Sequence, residues 1–158
     1  MTPFDFAIPM ILLFEGGYTA GLPGDPGGET KFGISKRSYP TLNIQALTQE
    51  EALAIYERDF WTAIKLSLLP APLALAVFDC AVLQGPKTAV RILQAVLGVP
   101  VDGVIGPVTV AAVKPTSVRD FTAERLIRLS QVGNYTVFAP GWVRRVLRAY
   151  DYAQGVPL

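Results

Sequence analysis

The chain has 158 residues, no histidine and one cysteine, with 51% apolar and 17% charged side chains. That is globular composition, enough for one compact domain or two small lobes sharing a core. The missing histidine excludes Ser-His-Asp and Cys-His nucleophile pairs, H-E-x-x-H metalloproteases and His-ligated catalytic zinc, and the lone Cys80 excludes an internal disulfide or a Cys-rich metal site.

Acid–base chemistry near neutral pH therefore falls to carboxylates, Lys, Tyr or Cys80. The net charge of +1 conceals an asymmetry. Residues 1–84 carry five basic and nine acidic side chains, a net of −4, and residues 85–158 carry nine basic and four acidic ones, a net of +5. An acidic first half suits carboxylate chemistry and a basic second half suits an anionic polymer, although surface charges also segregate by chance.

Thr2-Pro3 predicts a helix start, with Thr2 as N-cap and Pro3 at the first helical position. The helix extends to about Phe14 or Glu15, apolar on nearly all sides and hence central, with one hydrogen bond removed at Pro9. The run Phe6 to Phe14 follows Asp5 rather than a basic segment, lacks an A-x-A site and is too short to span a bilayer. Synthesis in the cytoplasm without a cleavable export signal is the expectation. Residues 16–33 hold seven of the fourteen glycines, with Pro23 and Pro26, and read as a loop with a short β-hairpin. Long ordered loops of this kind are commonly functional.

Thr48-Gln49-Glu50-Glu51 is a capping box, and the helix behind it reaches about Trp61 with Ala52, Tyr56 and Phe60 on its buried face. Further helices are expected over Leu73 to Leu83, over Lys87 to Leu97 with Gly98 as C-cap, and briefly from Pro107 to about Val113. Ser117 to Asp120 caps another. The last, from about Gly141 to Gln154, is expected to turn Val143, Val146, Leu147 and Tyr150 inward and Arg144, Arg148 and Asp151 outward.

Glu15 closes an apolar helix in front of the glycine-rich loop. Glycines at 16 and 17 let a large substrate approach the backbone, and a carboxyl between Phe14 and Tyr18 is partly desolvated, which raises its pKa. A protonated glutamic acid is a suitable general acid for a glycosidic bond. The alternative is a helix-end residue bonded to loop amides.

Three stretches carry a resemblance: Glu15-Gly16-Gly17-Tyr18, then Gly24-Asp25-Pro26-Gly27-Gly28-Glu29-Thr30, then Phe32-Gly33-Ile34. This pattern, E-G-G-Y…D-x-G-G-x-T-x-x-G-I, resembles the signature of glycoside hydrolase family 108, the peptidoglycan N-acetylmuramidases of phages and bacteria. Tyr56-Glu57-Arg58-Asp59-Phe60-Trp61 and Phe78-Asp79 to Gly85-Pro86 extend the likeness. Leu93 to Val99, Asp102-Gly103 and Gly106 to Thr109 resemble the family's predicted peptidoglycan-binding region, and Gly141 to Arg145 fit its C-terminal end.

The resemblance implies a mainly α, lysozyme-like fold with a small β-hairpin after the first helix. It implies a catalytic region over 1–68 and a helical lobe over 69–158, packed as one unit. It also implies cleavage of the β-1,4 bond between N-acetylmuramic acid and N-acetylglucosamine, with Glu15 as general acid and a role in endolysin-type lysis. By similarity to phage-type lysozymes, Asp25 acts on the water or stabilises the cationic transition state, and Thr30 positions the water. Glu29 is a rival second carboxylate or a surface residue beside Lys31. A carboxyl separation of about 5 Å favours retention and roughly 6.5–9.5 Å inversion, and analogy leans to inversion. Where the family has an Asn-containing segment, this chain has Ala81-Val82-Leu83-Gln84-Gly85, so a substrate hydrogen bond is lost or shifts to Gln84. Bacterial peptidoglycan is the expected partner, with no cofactor, no metal, no nucleic acid and a monomeric state.

Other residues carry two readings. Asp79, the only charge between Lys65 and Lys87, needs hydrogen bonds or an Arg and is read as structural. Tyr18 stacks on sugar or packs on the hairpin. Trp61 and Trp142 are read as core, and Cys80 as buried filler. Val101 to Thr109 binds glycan or stem peptide, or is a structural turn. The Arg144, Arg145 and Arg148 face attracts anionic wall polymers or is simply solvated. The competing functions are a lytic transglycosylase on the same bond, a non-catalytic wall-binding or virion protein, and a basic nucleic-acid-binding module, the last disfavoured because no nucleic-acid motif occurs.

Overall fold

The computed structural model of the chain describes residues 2–21, 28–133 and 135–155. It is mainly helical with one small antiparallel hairpin. Helix α1 (Pro3–Glu15) starts on a reciprocal cap: Thr2 Oγ1 accepts from Asp5 N–H, and Asp5 accepts from Thr2 N–H at 2.7 Å. Pro9 lies inside it without ending it.

The hairpin follows, β1 (Thr30–Lys31) against β2 (Ile34–Ser35), with Lys31 opposite Ile34. Its two-residue turn, Phe32-Gly33, has φ of 50° and 78°. Positive φ at both central residues is what a type I′ hairpin turn requires. A bridge between Thr19 and Thr30 ties the segment after Glu15 to the same hairpin.

Helix α2 (Gln49–Tyr56) starts at the expected Thr48/Glu51 capping box. The chain then continues through a π-helical stretch, Glu57–Thr62, rather than as regular α-helix to Trp61. The Ala63 N–H to Arg58 carbonyl bond, five residues back, shows the widened turn. A short 3₁₀ turn (Leu66–Leu68) leads into α3 (Ala71–Gln84), α4 (Pro86–Leu97), α5 (Pro107–Ala111), α6 (Ser117–Ser130) and α7 (Tyr135–Ala153). Gly98 closes α4 in the left-handed conformation expected of it.

Helix α3 is the axis of the molecule. Every residue from Leu73 to Ala81 is buried, and α1, α4, α6 and α7 pack around it. One core runs from Phe4 to Ala153, with Phe4, Trp61 and Phe78 edge-on or tilted at 5.3–5.8 Å. Trp61 is core, as expected, and its indole N–H donates to Ser67 Oγ. Helix α7 is tied back to α1 by the stacked Phe6 and Tyr152 rings and the Tyr152 hydroxyl donating to the Phe6 carbonyl.

Two expectations for α7 are corrected. It starts at Tyr135, six residues before Gly141, and its buried face is Val146, Ala149 and Ala153, with Leu147 46% exposed. Small residues let α7 sit close to α3 and α6, and the face rotates so that Arg145 turns inward. Trp142 is half-buried and stacks on Phe138 at 5.6 Å rather than entering the core.

The segment after α4 is organised by a buried glutamine. Gln94 Nε2 donates to Asp102 Oδ1 at 2.6 Å and to the Val104 carbonyl, while its Oε1 accepts from Gly103 N–H.

Candidate active site

Glu15 is the last residue of α1, and the chain must leave the helix at once to form the loop. Gly16 does this with φ 70° and ψ −163°, a region essentially restricted to glycine. The side chain it leaves behind is 19% exposed, partly buried yet open to solvent. Partial desolvation was expected; the partner that comes with it was not. Arg145 Nη1 lies 2.7 Å from Glu15 Oε1.

On the other side of the carboxyl lies the hairpin turn. A Cβ on Gly33 would stand 2.7 Å from Glu15 Cγ and 2.8 Å from Oε2, and would collide with the Tyr56 hydroxyl. The type I′ turn therefore presses bare backbone against Glu15, and only glycine fits. Tyr56 is buried and donates to the Phe32 carbonyl at 2.8 Å, which fixes the turn. Burial, then the Glu15 charge, push the Tyr56 phenol well above its ordinary range.

Arg145 is held in turn. Its Nε donates to Asp79 Oδ1 at 2.8 Å, and its guanidinium lies 5.1 Å from the centre of the Phe14 ring. Asp79 is fully buried; Arg125 Nη1 donates to its Oδ2 at 2.7 Å. Arg125 is also buried, and its Nε donates to Gln84 Oε1. The result is a line of side chains, Gln84–Arg125–Asp79–Arg145–Glu15, spanning α3, α6, α7 and α1. The expected arginine partner of Asp79 is thus present twice. Its neighbour Cys80 is buried, bonded to Gln84 Oε1, and burial pushes its thiol up to about 11.

The remaining expected site residues divide. Asp25 lies outside the described residues, so its separation from Glu15 is not defined. Thr30 stands in β1, backbone-paired to both Thr19 and Ser35, three residues from Gly33. Glu29 is half-buried at the base of the hairpin, its carbonyl accepting from Lys36 N–H. Tyr18 is 41% exposed beside the Thr19 bridge. Gln84 reaches Glu15 only through Arg125, Asp79 and Arg145.

The reading of α7 as an amphipathic helix missed Arg145. The signal that points to it is Asp79, a lone carboxylate in an apolar helix, which needs hydrogen bonds or an arginine from elsewhere in the chain. Among the described residues no cluster of Cys, Asp and Glu is suited to a metal ion, and no helix is long and apolar enough to cross a membrane.

Residues 8–85 match the family model described as Glycosyl hydrolase 108. Among solved structures the chain is similar to SagA from Brucella abortus, with 34% identity, 97% of this chain and 94% of that chain covered, and a TM-score of 0.85. No curated protein matches the sequence. The matched region contains Glu15, Thr30, Gly33, Tyr56 and Asp79, and the helical fold with its hairpin after α1 is lysozyme-like. The chain belongs to the glycosyl hydrolase 108 family, which makes it a glycoside hydrolase of the peptidoglycan-degrading kind.

Proposed function

We propose that the protein is an N-acetylmuramidase that hydrolyses the β-1,4 bond between N-acetylmuramic acid and N-acetylglucosamine, with Glu15 as general acid. The observation that carries this reading is the setting of Glu15: a part-exposed carboxyl at a helix end, clamped between the Arg145 guanidinium and the bare Gly33 turn. Arg145 anchors Oε1, and Oε2 lies on the turn side. Donating a proton to the leaving oxygen turns Glu15 into a carboxylate, and the guanidinium 2.7 Å away stabilises the charge that develops. Arg145 is a positioning residue in this scheme.

Asp25 then activates the water or stabilises the oxocarbenium-like sugar, and Thr30 orients that water, with Glu29 as the alternative second carboxylate. Tyr18 and Gln84 are assigned to substrate contact, Tyr18 with the stronger support because its ring is exposed. Residues 1–68 form the catalytic region and 69–158 the helical lobe, whose Val101 to Thr109 segment contacts the wall. The biological role in this reading is phage- or prophage-type lysis by a monomeric endolysin.

The test is zymography on purified peptidoglycan, wild type beside Glu15→Gln, with mass spectrometry of the products. Wild type is expected to release reducing N-acetylmuramic acid ends, and Glu15→Gln to lose about 10²–10⁴-fold in rate. Products ending in 1,6-anhydro-muramic acid would assign the protein as a lytic transglycosylase, in which the sugar's own hydroxyl attacks. Full activity of Glu15→Gln would move the catalytic centre elsewhere.

A further inference from the structure

Beside Glu15 runs a groove of about 520 Å³ lined by Phe14, Leu83, Gly141, Trp142 and the arginines 144, 145 and 148. We propose that this groove is a carboxylate-binding subsite for the stem peptide carried by the glycan strand; the proposal rests on the muramidase reading. Phe14 and Arg145 belong to both the groove and the Glu15 setting, so the two are contiguous.

Part of the lining is apolar, with Leu83 and the Trp142 ring, which stacks on Phe138, and part is cationic. Arg144 and Arg148 stand four residues apart on α7, both exposed, and like charges at that spacing destabilise a helix. Among the described residues neither forms an ion pair, and no carboxylate lines the groove. Arg145 Nη2 is buried and has no hydrogen-bond partner among the described residues. An anionic ligand relieves the repulsion between the two exposed arginines.

The chemistry of the strand selects that ligand. Its amino sugars are neutral, and the lactyl carboxyl of muramic acid is spent in the amide to the stem. The negative groups tethered nearest the cleaved bond are the stem's own carboxylates, and arginine is suited to their planar, two-oxygen geometry. The alkyl parts of the stem match Leu83 and Trp142. Leu83 adds to the apolar lining.

The test uses teichoic-acid-free sacculi and the same glycan stripped of stems by an amidase. Wild type and the double variant Arg144→Ala/Arg148→Ala are compared on both, with melting curves to confirm folding. The double variant is expected to lose about tenfold in kcat/KM on stem-bearing glycan beyond any loss on stripped glycan, chiefly through KM, and Arg144→Lys/Arg148→Lys to recover part of it. Equal losses on the two glycans, or none, overturn the proposal. Binding of a labelled stem-bearing fragment to Glu15→Gln, with and without the two alanine substitutions, reads the subsite independently of turnover. Absent activity with intact, arginine-dependent binding thus counts against the muramidase reading alone. Binding of polyglycerol phosphate that the double variant loses, without discrimination between the glycans, assigns the face to a phosphate polymer and overturns the stem assignment.

Discussion

Arg145 shows how much a single side chain carries when it bridges two carboxylates of unlike role. Asp79 is fully buried and Glu15 faces solvent, and the same guanidinium holds both. Arg145→Met is expected to cost about a hundredfold in kcat, the scale of a misplaced catalytic group, with a smaller change in KM. Arg145→Lys keeps the charge but cannot donate to both carboxylates in a fixed fork, so it is expected to recover only part of the rate. Steady-state kinetics on solubilised peptidoglycan separates the two parameters. Asp79 belongs to stability. Asp79→Ala leaves Arg125 buried without its carboxylate and is expected to cost about 3–5 kcal/mol, read from urea denaturation midpoints.

At the scale of elements, the local signals held at several helix ends but not at Ser117, which is the first residue of α6 behind Thr116 and whose hydroxyl accepts from Lys114 N–H instead of capping the helix. Thr2 and Thr48 start their helices because hydroxyls satisfy free N–H groups, and Gly98 ends one because it adopts positive φ. The hairpin was foreseen from its glycines, but Phe32 at positive φ was not, since propensity argues against a bulky residue there. Tyr56 holds it by bonding to its carbonyl. Gly33→Ala is expected to cost about 1–2 kcal/mol in stability but far more in activity, because its methyl displaces Glu15 and Tyr56. Circular dichroism melts beside activity assays would show that imbalance; proportional losses would argue against the contact. The π-helical stretch was illegible because residues 57–62 carry ordinary helical composition.

Across the whole molecule, the charge asymmetry gains an internal explanation. Glu15 and Asp79 from the acidic half pair with Arg145 and Arg125 from the basic half, so part of the split is spent holding the fold together. The absence of histidine also shapes stability. Asp5, Glu51, Asp59, Asp102 and Asp120 are held below their ordinary values of 3.8 for Asp and 4.5 for Glu, Asp59 by Arg58 and the others first by backbone or side-chain hydrogen bonds. Depressed carboxylates stabilise above their unfolded values, and that contribution is lost as pH falls through the folded ones. Cys80 and Tyr39 are raised by burial, to about 11 and about 12 from 9.0 and 10.0, so their contribution is present below pH 9 and lost as pH rises through the folded values. Melting temperatures are expected to be nearly flat from pH 5 to 8, falling below about 4.5 and above about 9. A step near pH 6.5 would contradict this, since no histidine is there to titrate.

The sequence by itself determined the helical class, the caps at Thr2, Thr48 and Gly98, the hairpin loop and the need of Asp79 for hydrogen bonds or an arginine. These follow from short-range chemistry: hydrogen-bond capping, glycine conformations, the period of apolar residues and the cost of a buried charge. Only the tertiary structure decided that Arg125 and Arg145 answer that demand, that Gly33 backs Glu15, and that Trp142 and three arginines share a groove. The two Asp79 pairs join residues 46 and 66 positions apart, Gly33 meets Glu15 across 18 positions of loop and hairpin, and the groove depends on which face α7 turns inward. Helical periodicity cannot distinguish an arginine facing water from one facing a buried carboxylate, because the choice is set by the partner helix.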